Sequence, residues 1–228
     1  MSRVFAIGDI HGCYTALQTL LKAVPLTPQD QIITLGDYVD RGPDSRRVVE
    51  WVMEQTELGR CLPLRGNHEV MMLEALQGRM PMEHWLQFGG RDALKSYSSD
   101  GRTLDPDQIP IEHLRFLDQK LLPYAETETH LFVHGCLDAT LPLSAQYPAT
   151  LYWERFEKIE PYPSRKAVVC GHTAQKNGIP NNRGFAVCID TWVYGKGWLT
   201  GLDVATGQYW QANQQGDSRT GWLAAPTT

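Results

Sequence analysis

Between residues 3 and 76 the chain repeats one pattern three times: a short apolar run, a loop built from Gly, Asp, His or Asn, then apolar residues at helical spacing. Arg3–Ile7 leads through Gly8-Asp9-Ile10-His11-Gly12 to Thr15–Val24, where Ala16, Leu17, Leu20 and Leu21 share a face. Gln31–Leu35 leads through Gly36-Asp37 to a helix opened by Pro43, with Val48, Val49, Trp51, Val52 and Leu58 as its buried stripe. Cys61–Leu64 leads through Arg65-Gly66-Asn67-His68 to Glu69–Leu76. Strand–loop–helix units in succession require parallel strands with right-handed crossovers, because two parallel neighbours cannot be joined by a tight turn. The period then changes. Met82–Gln87, Arg91–Tyr97 and Ile111–Leu122 read as helices, and from residue 123 the chain reads as strands, closing with a hairpin across Thr206-Gly207. The expected fold class is α/β, a parallel βαβαβ first half followed by an antiparallel second half.

Each apolar run in the first half exits into groups that bind ions. Asp9 and His11 lie two apart on extended chain and so point to one side. Asp37 and Asp40 follow the second run, Asn67 and His68 the third, and His134 and His172 stand at the exits of later ones. In an open α/β sheet, ligands collect outside the carboxyl ends of the strands. Carboxylate, imidazole and amide oxygen together suit Mn²⁺, Fe or Zn²⁺, whereas Mg²⁺ or Ca²⁺ would want oxygen alone. Taken singly, Asp9 or Asp37 reads first as a helix cap and a lone strand-end His as a loop histidine. It is their order and spacing that make a site.

Composition narrows the setting. The 228 residues carry 21 Lys+Arg against 26 Asp+Glu, and with no basic run a standing nucleic-acid partner is excluded. A chain of this length buries about 70% of its unfolded surface in one core. Five cysteines without a CxxC pair, no signal-peptide core and no membrane-length apolar stretch point to a cytoplasmic address. The reading places one domain over residues 1–212 and a polar, mobile tail over 213–228.

The set Gly8-Asp9-Ile10-His11-Gly12, Gly36-Asp37-Tyr38-Val39-Asp40-Arg41-Gly42 and Leu64-Arg65-Gly66-Asn67-His68-Glu69, with His134 and His172 later, resembles the calcineurin-like metallophosphoesterase superfamily. More narrowly it is similar to the serine/threonine phosphoprotein phosphatases of the short bacterial and lambda-phage type. Phe88-Gly89-Gly90, Ser96-Tyr97 and Tyr152-Trp153-Glu154-Arg155 are weaker matches to segments of the bacterial members. The resemblance implies a β-sandwich flanked by helices and a pair of divalent ions, Mn²⁺ first, with Fe or Zn²⁺ as alternatives. By the same resemblance, Asp9 and His11 would hold one ion, Asp37 would bridge, and Asn67, His134 and His172 would complete the second. His68 would be the general acid, oriented by Asp40, and Arg41 and Arg155 would clamp the phosphoryl oxygens. For Arg155, neighbours Glu154 and Glu157 offer a plain surface ion pair instead.

The activity so implied is hydrolysis of phosphomonoesters by a hydroxide shared between the ions, phosphoserine and phosphothreonine in proteins being the substrates. The alternative is a symmetrical dinucleoside polyphosphate hydrolase acting on compounds such as diadenosine tetraphosphate. A non-catalytic protein-binding scaffold is remote, since such a scaffold would have lost ligands and all six are in place. The partners expected are a phosphoprotein or small phosphoester, with no membrane and no regulatory-subunit surface. Arg65 and Glu69 read as supports for their ligand neighbours, and His84, His113 and His130 as packing or surface residues.

Overall fold

The computed structural model describes residues 3–226. The first half runs β1 (Val4–Ile7), α1 (Tyr14–Ala23), β2 (Gln31–Thr34), α2 (Ser45–Glu57), β3 (Cys61–Pro63) and α3 (Asn67–Leu76). Three short helices follow, α4 (Met82–Trp85), α5 (Arg91–Tyr97) and α6 (Ile111–Gln119). The second half runs β4 (Tyr124–Glu126), β5 (His130–Val133), α7 (Pro148–Trp153), β6 (Ala167–Cys170), β7 (Asn181–Asn182) and β8 (Ala186–Cys188). It closes with β9 (Asp190–Thr191), β10 (Trp198–Asp203), β11 (Gln208–Ala212) and β12 (Ser218–Trp222).

These strands form two mixed sheets. The first has the order β12-β11-β10-β1-β2-β3, with β9 on β10, and the second the order β4-β5-β6-β8-β7. β1, β2 and β3 are parallel, as the strand–loop–helix repeat requires. The second half is antiparallel, as expected, through β9–β12 and at β4 and β7, but the centre of the second sheet departs from that pattern, with β5, β6 and β8 parallel. The reason lies in the connection from β5 to β6. It is long enough for a crossover, but only one turn-and-a-half of helix, α7, marks it in the sequence.

Alternation builds the layers. Phe132, Val169 and Val187 of the second sheet face Ala6 and Ile33 of the first across a shared core. Leu131, Val133, Val168, Cys170, Ala186 and Cys188 point the other way, under Leu151, Tyr152 and Phe156. Phe5 and Ile7 likewise turn outward, under Leu17 and Leu20 of α1. The result is helix, sheet, sheet, helix.

The chain does not leave the fold at residue 212. Ser218–Trp222 returns as β12 and pairs with β11 from Gln208↔Trp222 to Ala212↔Ser218, so most of the segment read as a tail is a sheet edge. The polar Asn213–Asp217 stretch is its turn, with Asn213 Oδ1 accepting from the Gln215 and Asp217 amides. Residues 227 and 228 lie outside the described residues.

Candidate functional site

The parallel strands of both sheets exit at one place. From the first sheet come Asp9, His11, Asp37, Asp40, Asn67 and His68, all buried, and from the second comes His134, with no exposed surface. Two groups of ligand atoms converge there, His11–Asp37–His68 and Asp9–Asp37–His134, and Asp37 belongs to both. Asp9 and His11, expected on one ion, fall in different groups. Asp9 is held by the His172 amide at 3.0 Å, and a Cβ on Gly171 would lie 2.0 Å from its Oδ1, so only glycine lets the β6 exit approach this closely.

The hydrogen bonds fix the histidine tautomers. His11 Nδ1 meets the Val39 carbonyl at 3.0 Å, His134 Nδ1 the Leu35 carbonyl at 2.8 Å, and His172 Nε2 the Trp153 carbonyl at 3.1 Å. A carbonyl only accepts, so in each ring that nitrogen carries the hydrogen and the other is bare. The bare nitrogens converge on acceptors. His134 Nε2 lies 2.9 Å from Asn67 Oδ1 and 3.5 Å from Asp37 Oδ1, His172 Nδ1 lies 3.0 Å from Asn67 Oδ1, and His11 Nε2 lies 3.4 Å from Asp37 Oδ2. Burial keeps these rings neutral: it pulls His134 down to about 3, His172 to about 4, and His11 well below the ordinary histidine value. The Asp9 carboxyl is pushed well up, by burial and by the charges of Asp190 and Asp37. Lone pairs facing lone pairs inside a buried acidic cluster are a donor set for cations. The residues fit a pair of divalent ions.

His68 is wired differently. Its Nδ1 faces not a carbonyl but the Asp40 carboxylate, at 2.7 Å, and its Nε2 is turned toward Asp37 Oδ2 at 4.0 Å. Burial pulls the imidazole down to about 4, with the Asp37 charge acting against it. Arg41 lies against the same cluster, Nη1 donating to His11 Nε2 at 2.8 Å and the guanidinium stacked 4.3 Å from the Tyr194 ring centre.

Backbone strain is concentrated here. Of the seven non-glycine residues with positive φ among the described residues, five are His11, Asp37, Asp40, Arg41 and His172. Glu69 holds the strained second loop, Oε1 accepting from the Tyr38 and Val39 amides and Oε2 from those of Asp37 and Gly66. Arg155 stands apart. Its side chain is 69% exposed and Nε pairs with Glu157 at 3.2 Å, the surface arrangement that the neighbouring glutamates allowed.

Three neighbours of the cluster escaped the sequence reading. Asp190 is buried beside Asp9, burial pushing it up to about 6, and its signal was the one already used elsewhere, an apolar run ending in Asp. Tyr194 and Trp85 carry no such signal, because each reaches the site from an ordinary loop or helix.

Comparisons with known proteins agree with this geometry. A sequence model of the calcineurin-like phosphoesterase family matches residues 2–190. A symmetrical bis(5'-nucleosyl)-tetraphosphatase of Erwinia tasmaniensis is 46% identical over 76 residues, 32% of this chain and 27% of that one. Serine/threonine-protein phosphatase 1 of Salmonella typhimurium is 29% identical over 154 residues, 67% of this chain and 63% of that one. The chain thus spans less than two thirds of these relatives. A protein serine/threonine phosphatase structure from Saccharomyces cerevisiae superposes with a TM-score of 0.62 at 17% identity, covering 100% of this chain and 81% of that one, a likeness of fold.

Proposed function

The chain belongs to the calcineurin-like phosphoesterase family, and on that premise we propose that it is a metal-dependent phosphatase whose first substrates are phosphoserine and phosphothreonine in proteins. The observation that carries the proposal is the division of labour among the histidines: three rest on carbonyls and turn bare nitrogens to the cluster, while the fourth rests on a carboxylate. Asp9, His11, Asp37, Asn67, His134 and His172 would hold two divalent ions, Mn²⁺ first, with Asp37 between them. Bound there, the ions would offset phosphoryl charge and acidify the attacking water.

The chain's own groups do the remainder. Arg41 takes phosphoryl oxygens, its stacking on Tyr194 leaving N–H groups free to donate. As the ester bond to phosphorus breaks, its electron pair passes to the leaving oxygen, and protonated His68 gives that oxygen the Nε2 proton. The Nδ1 proton stays on the Asp40 side, where the carboxylate stabilises the imidazolium before transfer. The products are an alcohol and phosphate, balanced by the water consumed.

A second reading, hydrolysis of symmetrical dinucleoside tetraphosphates, is favoured by the stretch 46% identical to a tetraphosphatase. The deciding measurement is kcat/KM on a phosphoserine peptide and on diadenosine tetraphosphate, with Mn²⁺-reconstituted protein. A higher value for the peptide supports the first reading. A higher value for the dinucleotide overturns it in favour of the second.

A further inference from the structure

Asp40 is the one carboxylate of the site whose second partner is an indole. It is fully buried, and Trp85, itself without exposed surface, donates Nε1–H to both of its oxygens at 3.0 Å. The Asp40 amide donates to Ser45 Oγ at 3.0 Å, which holds the residue in its left-handed conformation at φ 72°. Among the described residues its ion-pair partner is His68 alone.

We propose that Trp85 is the positioning residue for the acid, a third member of a Trp85–Asp40–His68 chain, and that the segment Trp85–Gly90 aligns the acid and Arg41 together. The proposal rests on the reading of His68 as general acid. A donor shared between both oxygens fixes the carboxylate plane, and so the direction in which Oδ2 meets His68 Nδ1. Because the indole is neutral, it does this without discharging Asp40. A lysine or arginine in its place would orient the carboxylate but spend the charge that must stabilise the imidazolium.

The same segment explains the adjacent glycines. A Cβ on Gly90 would lie 2.5 Å from Trp85 Cε2, so the indole can occupy its position only because residue 90 has no side chain. The Gly89 carbonyl accepts the Arg41 amide at 3.3 Å, and a Cβ on Gly89 would meet that amide nitrogen at 2.5 Å. Gly89 and Gly90 thus press on two adjacent residues of the second loop, Gly90 on Asp40 through an indole and Gly89 on Arg41 through the backbone.

The test uses leaving groups of similar shape and different basicity, phenyl phosphate and p-nitrophenyl phosphate, on Mn²⁺-reconstituted protein. Trp85→Phe keeps most of the ring volume and removes the donor. We expect kcat on phenyl phosphate to fall about tenfold, with kcat on p-nitrophenyl phosphate within about twofold and KM unchanged on both. Gly90→Ala, which displaces the indole without changing it, should give the same pattern. The ratio of the two rates within one sample does not depend on how much of it is folded, so a destabilised variant still reports. His68→Asn separates the levels. If it raises that ratio and the two other variants leave it at the wild-type value, Trp85 does not position the acid and the inference falls alone. If His68→Asn also leaves the ratio unchanged, the general-acid reading falls and takes the inference with it.

Discussion

The two sheets contribute unequally to the site they share. The exits of β1, β2 and β3 supply Asp9, His11, Asp37, Asp40, Arg41, Asn67 and His68, to which the proposed function gives ion-binding, proton-handling and phosphate-facing roles. The exits of β5 and β6 supply His134 and His172, whose rings meet Asn67, Asp37 and backbone carbonyls, while the His172 amide donates to Asp9. The first sheet's loops hold four of the strained residues, with Glu69 tying the second and third loops together, and the second sheet adds one, His172, its two histidines each seated on a single carbonyl. The proposed assignment concentrates chemistry in loops whose conformation is over-determined, because a strained backbone persists only where many bonds enforce it. The second sheet needs only to close the donor set.

Asp37→Asn probes that inequality hardest. Asp37 is the member common to both ligand groups, so its loss weakens both at once. Activity should drop by roughly a thousandfold or more, the scale of several kcal/mol of metal stabilisation, and bound metal measured by elemental analysis should fall below two per chain. Asparagine keeps an acceptor for the His68 amide, which Asp37 Oδ1 now takes at 3.0 Å, so the loop itself should survive. A variant that retains two ions and near-wild-type turnover would make Asp37 an ordinary member of one site and dissolve the asymmetry.

His134→Ala asks the same of the second sheet. The Asp9–Asp37–His134 group loses a member while Asp37 and His11 keep their places. The loss should be smaller than for Asp37→Asn, about 10–100-fold, the range for weakened support of a metal site, and excess Mn²⁺ should restore part of it. Titrating Mn²⁺ against rate is the measurement. A loss equal to that of Asp37→Asn and insensitive to added metal would mean that the second sheet carries chemistry as well.

The same inequality explains what the sequence discloses. In the first half, each candidate site residue follows its strand within a few residues, so Asp9, His11, Asp37, Asn67 and His68 stand in the order in which they converge. Glu69 was readable as a support because it follows Asn67 and His68 directly. In the second half, parallel pairing of β5, β6 and β8 is decided by register across a long crossover, and the apolar runs alone are equally compatible with hairpins. The β12 edge was hidden for a related reason: Ser218–Trp222 is mostly exposed, so its strand rests on pairing with β11 and not on an apolar face. Trp85 meets Asp40 across 45 residues, a contact made by the fold and by the missing side chain of Gly90. No local pattern encodes it.

Arg155 gives the smallest expected effect and the cleanest boundary to the comparison. It lies in the second half, two residues beyond the carbonyl that seats His172, and the resemblance offered it as the partner of Arg41 in a phosphoryl clamp. Its side chain instead pairs with Glu157 at the surface, the two groups 69% and 58% exposed. An exposed pair of this kind contributes about 0–1 kcal/mol, because water screens both charges and two long side chains lose freedom in meeting. Lysine can keep such a pair but cannot bind two phosphoryl oxygens in one plane, so Arg155→Lys separates the roles. If the surface pair is its whole business, inorganic phosphate should inhibit wild type and variant equally at matched metal occupancy, and unfolding stability should change by less than about 1 kcal/mol. A weaker phosphate inhibition in the variant, with metal content unchanged, would show that the guanidinium swings from Glu157 to the substrate. The second sheet would then supply a phosphate-binding group of its own, and the division between a chemical half and a closing half would have to be withdrawn.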